Sequence, residues 1–346
     1  MRTKRIALCG LGKVGRSFLQ LVAEKQSEVQ TAYGVNLEVA CVVDIGGAAL
    51  AAEGGLPLPL LLEHVQNGGR LEELGEYGVP GLGGVEALQQ GNYDVLVETT
   101  PTNLKDGGPA YGFVTTALAR GMDVVSANKG PFVLYFDQLK QLAARNNSRL
   151  FISAATGAAL PTLDIGTFST AGAAITAIEG ILNGTTNFIL TKMYVEKISY
   201  ADALKEAQAL GIAETDPTLD VEGYDTRNKI VLIANTLFGG GFGPADVPVK
   251  GITGITYEDI ANGAREGKAL KLVATATVAE GRIALEVKPQ YIDLSHPLAS
   301  INYAEKGITY TTDTMGQITV LGGKSSPVGA AAALLKDVIH SHIFAR

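Results

Sequence analysis

Apolar runs alternate with amphipathic stretches along the first 150 residues. IALCG (6–10) and LEVACVVD (37–44) are typical of buried strands, and KVGRSFLQLVAEKQ (13–26) has helical spacing. Apolar strands that alternate with helices predict a parallel sheet covered on both faces. The same pattern predicts further strands at 93–100 and 122–128, and helices at 58–66, 113–121 and 137–147.

The pattern changes after RLFISAATGAALP (149–161). KALKLVATATVAEGRIALEVKPQYI (268–292) alternates like two antiparallel strands joined by the turn AEGR, and helices are predicted at 200–211 and 221–239. We therefore expect an α/β protein with a doubly wound parallel sheet over 1–152 and a separate α+β domain over 153–324. The small-residue helix predicted at 325–346 suits close packing back onto the first domain.

Composition narrows the class of protein. A chain of 346 residues is too long for one ordinary core, and 46% hydrophobic with 18% charged residues indicates a folded protein. The net charge of −7 argues against nucleic acid as a partner. Cys9 and Cys41 lie in apolar runs, which predicts buried thiols in a reducing cytoplasm. Neither a signal peptide nor a membrane-spanning stretch is expected.

The first strand is followed by GLGKVG (10–15), a G-x-G-x-x-G pattern that opens an amphipathic helix. In this context Gly10 allows the tight turn, Gly12 lets backbone approach a pyrophosphate, and Gly15 lets helix and strand pack closely. A strand–helix turn without a ligand is the alternative. The pattern predicts a Rossmann-type dinucleotide site made by Gly10, Leu11, Gly12, Lys13, Val14 and Gly15.

Asp44, at the end of the second strand, favours NAD over NADP because its carboxylate accepts from ribose hydroxyls and repels a 2′-phosphate. Asp44 lies farther from Gly15 than usual, which the polar insert 24–34 can account for. The loop ETTPTN (98–103) is predicted to cover the cofactor through Thr99, Thr100 and Pro101, although Thr-Thr-Pro also simply ends a strand well.

Carboxylates crowd the segment AETDPTLDVEGYDTRNK (213–229) just ahead of a lysine. Asp225 and Lys229 are four residues apart, so a helix places them on one face, either as an ordinary ion pair or as an acid/base group. Asp216 before Pro217 is typical of a helix start. Asp220 either caps the helix that carries Lys229 or supports the site from behind.

Three stretches carry a family resemblance: ANKGPF (127–132), ILNGTTNFIL (181–190) and AQALGIAETDPTLDVEGYDTRNK (207–229). Together with GLGKVG and SHPLASINYAEKGITYTTD (295–313), they make nearly the whole chain resemble homoserine dehydrogenase. The resemblance implies NAD(P)-dependent interconversion of L-homoserine and L-aspartate 4-semialdehyde, a step in threonine and methionine biosynthesis. Another hydroxy amino acid or aldehyde as substrate, or an NAD-binding protein without catalysis, are the alternatives.

The resemblance also implies residue roles. Lys229 matches the acid/base that exchanges the hydroxyl proton, and Lys129 matches a second catalytic lysine close to the nicotinamide. Glu214 and Asp225 match carboxylates that bind the substrate, and Asn183, Gly184 and Thr185 match a loop beside it. Gly211 and Gly322 match glycines next to the cofactor.

A monovalent-cation site is doubtful. The resemblance would place it on backbone oxygens of Thr156, Ala158 and Leu160, but Ser153 stands where many family members carry a glutamate. A hard cation thereby loses its anionic ligand. The resemblance further implies a homodimer or homotetramer and the short form of the family, without a C-terminal regulatory domain.

Overall fold

The computed structural model describes residues 2–323 and 325–344. Residues 1, 324, 345 and 346, which belong to the predicted domains and to the predicted last helix, lie outside the described residues. The chain forms two compact units. The first consists of the chain up to Ala159 together with the segment that begins at Ser326, and the second is Leu160–Ser325.

A mixed sheet forms the centre of the first unit. Its strands are β1 (Arg2–Cys9), β2 (Val35–Asp44), β3 (Gly47–Leu50), β4 (Gly78–Pro80), β5 (Val95–Glu98), β6 (Asp123–Ser126) and β7 (Leu150–Phe151), in the order β4-β3-β2-β1-β5-β6-β7. The pairs from β2 to β7 are parallel, as predicted. Strands β3 and β4 pair antiparallel at the edge, which the apolar pattern missed because GAAL is short and small-sided.

Helices connect these strands and continue into the second unit. They are α1 (Lys13–Tyr33), α2 (Leu58–Gln66), α3 (Gly84–Gln90), α4 (Gly108–Ala119), α5 (Gly130–Arg145), α6 (Ser153–Gly157), α7 (Thr162–Asp164), α8 (Gly184–Glu196), α9 (Tyr200–Ala209), α10 (Thr218–Val221), α11 (Tyr224–Phe238), α12 (Tyr257–Arg265) and α13 (Pro327–Ile343). The polar insert at 24–34 lengthens α1 as far as Tyr33, which accounts for the distant Asp44. Helix α13 packs against α1 within the first unit.

An antiparallel sheet forms the second unit. Its strands are β8 (Ile175–Ile181), β9 (Lys268–Ala279), β10 (Arg282–Asp293), β11 (Gly307–Thr312) and β12 (Gln317–Leu321), in the order β10-β9-β8-β11-β12. The predicted hairpin is confirmed, since Ala279 pairs with Arg282 across the turn. This unit therefore has the α+β organisation predicted for it.

Apolar side chains fix the elements that carry the site. Ile6, Leu8, Val95 and Val97, from the centre of the parallel sheet, are fully buried. The run Ile230–Ala234 of α11 is likewise buried, so this helix is held on all sides after its polar first turn. No helix in the described ranges 2–323 and 325–344 is long and apolar enough to cross a membrane.

Candidate active site

The glycine turn after β1 has the geometry of a phosphate cradle. Gly10 has φ +95°, and a Cβ there would lie 2.8 Å from the Thr100 nitrogen. A Cβ on Gly15 would lie 2.2 Å from the Gly10 carbonyl oxygen, whereas a Cβ on Gly12 would meet nothing within 4 Å. Gly10 and Gly15 are thus required for packing. The open space at Gly12 lets a ligand come close to the backbone.

The N-terminus of α1 suits an anion. Gly12 is its N-cap and supplies no side-chain cap, and the first turn contains no acidic residue. Lys13 is exposed there, while Leu11 is buried and Val14 half-buried under the turn. Uncapped amides and the helix dipole favour negative charge at this position. These residues therefore fit the pyrophosphate of a dinucleotide.

Asp44 ends β2 and is exposed, as a ribose-binding carboxylate requires. Its backbone pairs with Gly47, so the chain reverses at once into β3 through a turn that includes Gly46 with φ +103°. The tight hairpin holds the carboxylate at the carboxyl edge of the parallel strands, where doubly wound folds bind nucleotides.

A buried carboxylate orders the loop after β5. Glu98 is fully buried, and its Oε1 accepts hydrogen bonds from the backbone nitrogen of Thr100 at 2.8 Å and from the Thr100 hydroxyl. Its Oε2 accepts from the Ser126 hydroxyl at 3.0 Å, which ties β5 to β6. Burial outweighs these hydrogen bonds and raises the pKa of Glu98 to about 7.

Asn128 extends this network to Lys129. Its amide nitrogen donates to the carbonyls of Thr100 at 3.2 Å and Pro101 at 3.3 Å. Thr99 donates its hydroxyl to the Gly10 carbonyl at 2.6 Å, so the loop is also fixed to the glycine turn. Lys129 follows Asn128 as the N-cap residue of α5 and is half-buried. The structure thus brings Gly10, Thr99, Thr100, Pro101 and Lys129 to one edge of the sheet.

In the second unit, Asn183 joins separate parts of the chain. It caps α8, since its Oδ1 accepts from the Thr186 nitrogen at 2.9 Å. Its Nδ2 donates to Asp220 Oδ1 at 2.6 Å and to Asp225 Oδ2 at 3.0 Å. One buried amide therefore places carboxylates of α10 and α11 beside the N-terminus of α8.

Lys229 and Asp225 form an ion pair on this face of α11. Their Nζ and Oδ2 atoms are 2.6 Å apart, and the two side chains are 15% and 16% exposed. Lys229 Nζ also donates to the Leu182 carbonyl at 2.7 Å, immediately before Asn183. The ammonium is thus held between a carboxylate and a carbonyl, so a change in its protonation alters contacts on both sides.

Asp220 does not cap α11, which was one of the two roles that the sequence left open for it. Helix α11 has Gly223 as its N-cap, without a side-chain cap, whereas Asp220 contacts Asn183. Burial, followed by the nearby Asp225 carboxylate, raises the pKa of Asp220. Asp216, in contrast, is exposed and binds Thr218 at the start of α10, as expected for a structural residue.

Gly184 and Thr185, which were also predicted, lie at the start of α8 next to Asn183. Thr185 donates its hydroxyl to the Ile212 carbonyl at 3.0 Å, and a Cβ on Gly184 would lie 2.8 Å from the Ala304 oxygen. Glu214 is exposed on the loop after α9, and its carbonyl accepts a hydrogen bond from the Gln208 side chain at 3.1 Å. Gly211, with φ +69°, ends α9, and Gly322, with φ +114°, follows β12.

Ser153, which stands where many family members carry a glutamate, binds the last helix, α13. Its hydroxyl lies 2.9 Å from Asp337 Oδ1 and 3.1 Å from Lys336 Nζ, so an ammonium already neighbours this oxygen. Thr156 and Ala158 follow at the end of α6, and the Leu160 carbonyl accepts from the Thr162 nitrogen at 2.8 Å. Ser153 brings no negative charge to this position, and the carboxylate beside it, that of Asp337, is ion-paired with Lys336 at 3.1 Å, so the cation site stays a doubtful prediction.

The sequence reasoning missed Glu98, Asn128 and Lys306. Glu98 and Asn128 organise the cofactor loops without being predicted to touch a ligand. Lys306 is 2% exposed, and burial together with the positive charge of Lys229 lowers its pKa to about 7. Glu98 could have been recognised in the sequence as a carboxylate that ends an apolar strand. Nothing local in YAEKGI distinguishes Lys306 from a surface lysine.

Family models match most of the chain. Residues 161–339 match the model described as homoserine dehydrogenase, and residues 10–153 match the NAD-binding domain of homoserine dehydrogenase. An NAD(+)-dependent homoserine dehydrogenase of Pseudomonas canavaninivorans is 38% identical over 99% of this chain and 97% of its own length. A homoserine dehydrogenase of Methanocaldococcus jannaschii is 35% identical over 97% of each chain.

Solved structures are similar to this chain over nearly its whole length. A putative homoserine dehydrogenase of Archaeoglobus fulgidus gives a TM-score of 0.86 at 33% identity, covering 98% of this chain and 99% of its own. A hyperthermophilic archaeal homoserine dehydrogenase mutant in complex with NADPH gives 0.83 at 27% identity, covering 99% and 98%.

We predict that Gly12→Ala and Gly15→Ala weaken dinucleotide binding for different reasons. A methyl on Gly12 enters open space that the ligand needs, so affinity should fall at least about tenfold with an unchanged melting temperature. A methyl on Gly15 overlaps the Gly10 carbonyl, so both affinity and melting temperature should fall. Calorimetric titration with NAD and thermal melts measure the two effects. Full affinity in Gly12→Ala would contradict the cradle.

We predict that Glu98→Gln changes the pH dependence of stability. Because the folded-state pKa of about 7 lies above the ordinary value, the stability that Glu98 contributes is complete below pH 4.5. It is lost as pH rises through 7. Glutamine does not titrate, so the melting temperature of the variant relative to wild type should rise between pH 4.5 and pH 8. The exposed Glu63→Gln is the control, and parallel pH curves for Glu98→Gln and wild type would refute this role.

Proposed function

The chain belongs to the homoserine dehydrogenase family, and from that premise we propose that it interconverts L-homoserine and L-aspartate 4-semialdehyde. It is an oxidoreductase that acts on a CH–OH group, in amino-acid biosynthesis. The observation that carries the assignment to residues is the network in which Lys229 pairs with Asp225 while Asn183 holds Asp225 and Asp220 together. A lysine whose Nζ atom is held by these contacts can exchange a proton with a substrate hydroxyl bound next to it.

Lys229 handles the proton of the substrate hydroxyl. In the oxidation of homoserine, its uncharged amine accepts that proton as the alcohol carbon loses a hydride, and in the reverse direction its ammonium returns the proton. The Asp225 carboxylate and the Leu182 carbonyl orient the Nζ atom during this exchange. When bound, NAD supplies the hydride acceptor.

The charges of homoserine fit the groups that we assign to its binding. Homoserine carries an ammonium, which suits the carboxylates of Asp225 and Glu214, with Asp220 behind Asp225. Its carboxylate suits the backbone at Gly184 and Thr185, where the N-terminus of α8 favours negative charge. These contacts would hold the amino-acid end and leave the hydroxyl for Lys229.

NAD is the cofactor that we assign to this chain. The exposed Asp44 supports it, because a carboxylate there accepts ribose hydroxyls and repels a 2′-phosphate. The relative from Pseudomonas canavaninivorans is named as NAD(+)-dependent, whereas the archaeal neighbour was solved with NADPH. We further assign Lys129, Gly211 and Gly322 to the cofactor, with Lys129 next to the nicotinamide.

We also propose that the protein is a cytoplasmic homodimer or homotetramer. Strand β12 is an outer strand of the second unit's sheet and its residues are partly or fully exposed, so its edge can pair with another chain. The outer edge of β10 is less available for such pairing, because Pro248 and Lys250 already hydrogen-bond to Val287 of this strand. The buried thiols of Cys9 and Cys41 suit a reducing compartment.

We predict that Lys229→Ala lowers kcat for homoserine oxidation by about 10²–10⁴-fold, the usual contribution of a general acid/base. NAD affinity should stay within about threefold of wild type, because the glycine turn and Asp44 lie in the other unit. NADH formation at 340 nm and titration with NAD measure the two quantities. Turnover that survives in Lys229→Ala would overturn the acid/base assignment.

Lys192→Ala is the matched control for this experiment. Lys192 forms an i,i+4 ion pair with Glu196 on α8, as Lys229 does with Asp225 on α11, but it is not part of the Asn183 network. Its loss should change kcat less than about twofold, since surface ion pairs contribute little. Equal losses in both variants would point to a general effect of removing a lysine.

We predict that wild type prefers NAD and that Asp44→Ala reduces this preference. The kcat/KM for NAD should fall at least about tenfold, since the hydrogen bonds to the ribose are lost. The kcat/KM for NADP should be unchanged or rise, since the repelling charge is gone. Initial rates with each cofactor measure both values. Wild-type turnover that is faster with NADP than with NAD would refute the assignment.

A further inference from the structure

A polar cavity of about 560 Å³ lies where the parallel strands β1, β5, β6 and β7 begin, at the sheet edge opposite the glycine turn. The charged side chains that line it are Arg2, Lys4, Arg120, Arg149, Asp94 and Asp123. Four basic and two acidic groups give the cavity an excess of positive charge, in a chain whose net charge is −7. Doubly wound proteins bind nucleotides at the carboxyl ends of their strands, so the dinucleotide site does not account for this charge.

Both carboxylates of the cavity already have partners within the fold. Asp123 accepts hydrogen bonds from the Arg149 backbone nitrogen at 2.9 Å, from its Nε atom at 3.1 Å and from its Nη2 atom at 2.5 Å. Asp94 Oδ2 accepts from the Arg5 backbone nitrogen at 2.8 Å. Of the four basic side chains, Arg149 is therefore held by a carboxylate of the cavity at hydrogen-bond distance.

Lys4 is buried without such a partner. It is 4% exposed, and the Asp123 Oδ2 atom lies 4.0 Å from its Nζ atom, which is beyond hydrogen-bond length. Burial lowers the pKa of Lys4, while Asp123 and Asp94 act in the opposite direction. Within the ranges 2–323 and 325–344 its ammonium has no hydrogen-bond acceptor, and an ammonium buried in this way is costly unless an anion lies next to it.

Arg149 brings a second unused donor to the same cavity. Its Nη2 atom also donates to the Ser341 carbonyl at 2.6 Å, so Asp123 and Ser341 together fix the guanidinium. Its Nη1 atom is buried and has no hydrogen-bond partner in the described part of the chain. Guanidinium and ammonium groups are the side chains that bind phosphate oxygens, so these two donors indicate a ligand of that kind.

A helix end explains only one of the basic residues. Arg120 is the C-cap residue of α4 and donates from Nη2 to the Gly91 carbonyl at 2.9 Å, where a cation also complements the helix dipole. Lys4 lies on β1, so no helix end accounts for its buried charge.

We propose that this cavity is an anion site that binds a phosphate group, with Lys4 and Arg149 as its buried donors and the exposed Arg2 and Arg120 adding positive charge. The ligand is inorganic phosphate or a small phosphate monoester, which present the same oxygen atoms. A phosphate monoester carries a charge of about −1.5 to −2 near pH 7, which offsets the excess of two positive charges among the lining residues.

The test uses the protein saturated with NAD, because the dinucleotide then occupies the Gly12 turn, the other place that suits phosphate. Inorganic phosphate is titrated calorimetrically and in thermal melts, against KCl at equal ionic strength. We expect phosphate to bind wild type and to raise its melting temperature, and KCl to do neither.

Lys4→Met should weaken phosphate binding at least about tenfold, since one charge-assisted donor is lost. Without phosphate, its melting temperature should equal or exceed that of wild type, because a buried charge without a hydrogen bond is gone. A lysine that serves stability alone would give the reverse, a lower melting temperature and unchanged phosphate affinity.

Arg120→Gln and Arg145→Gln are a matched pair of variants. Both arginines are exposed at the ends of helices, α4 and α5, but Arg145 does not line the cavity. Phosphate affinity should fall about threefold in Arg120→Gln and stay unchanged in Arg145→Gln. If Lys4→Met fails to fold, the wild-type titration and this pair still decide.

Two results would overturn the proposal. One is phosphate that binds NAD-saturated wild type no better than chloride does, and the other is equal phosphate affinity in wild type and in the variants that alter the cavity. A parallel titration with O-phospho-L-serine distinguishes the two sources of the phosphate group. Tighter binding than that of inorganic phosphate assigns the site to a phosphate monoester, and equal or weaker binding assigns it to free phosphate.

Discussion

The second unit depends on the way in which the Asn183 amide shares its hydrogen bonds. Its oxygen closes the first turn of α8, and its nitrogen binds the carboxylates of Asp220 and Asp225. Without it, two carboxylates of like charge would face each other beside the ion pair of Lys229. Leaving one member of a buried pair uncompensated costs about 3–5 kcal/mol, so this amide constrains where α8, α10 and α11 can lie.

An equivalent constraint operates in the first unit through Glu98. This carboxylate and Asn128 bind the loops after β5 and β6 to each other, and Thr99 binds one loop to the Gly10 carbonyl. In both units a buried polar side chain hydrogen-bonds to residues assigned to a ligand or to their neighbours, Asn183 to Asp220 and Asp225 and Glu98 to Thr100. Buried polar networks of this kind fix one arrangement, because any alternative leaves a polar atom without a hydrogen bond.

Sequence reasoning succeeded where the determining contacts are local. The G-x-G-x-x-G turn, the hairpin at 279–282 and the shared helix face of Asp225 and Lys229 follow from spacings of a few residues. It failed where contacts span long separations. Asn183 meets Asp220 and Asp225 across 37 and 42 residues, and Lys306 precedes Gly307, which pairs with Ile181 of β8 far away in the sequence. The edge strand β3 was missed because four small residues carry no clear period.

Burial of the Lys306 amine costs free energy for a reason that packing does not explain. An apolar side chain of similar length at Lys306 would avoid the desolvation of an amine, and such replacements of buried charges are often neutral or stabilising. The charges of Lys229, Lys306, Asp220 and Asp225 balance when all four groups are charged, and they also balance when Lys306 is uncharged and Asp220 protonated. The pKa is lowered for Lys306 and raised for Asp220, so burial favours the second of these two states. A buried amine with a pKa near 7 takes up and releases a proton around neutral pH, and groups perturbed in this way are concentrated at functional sites.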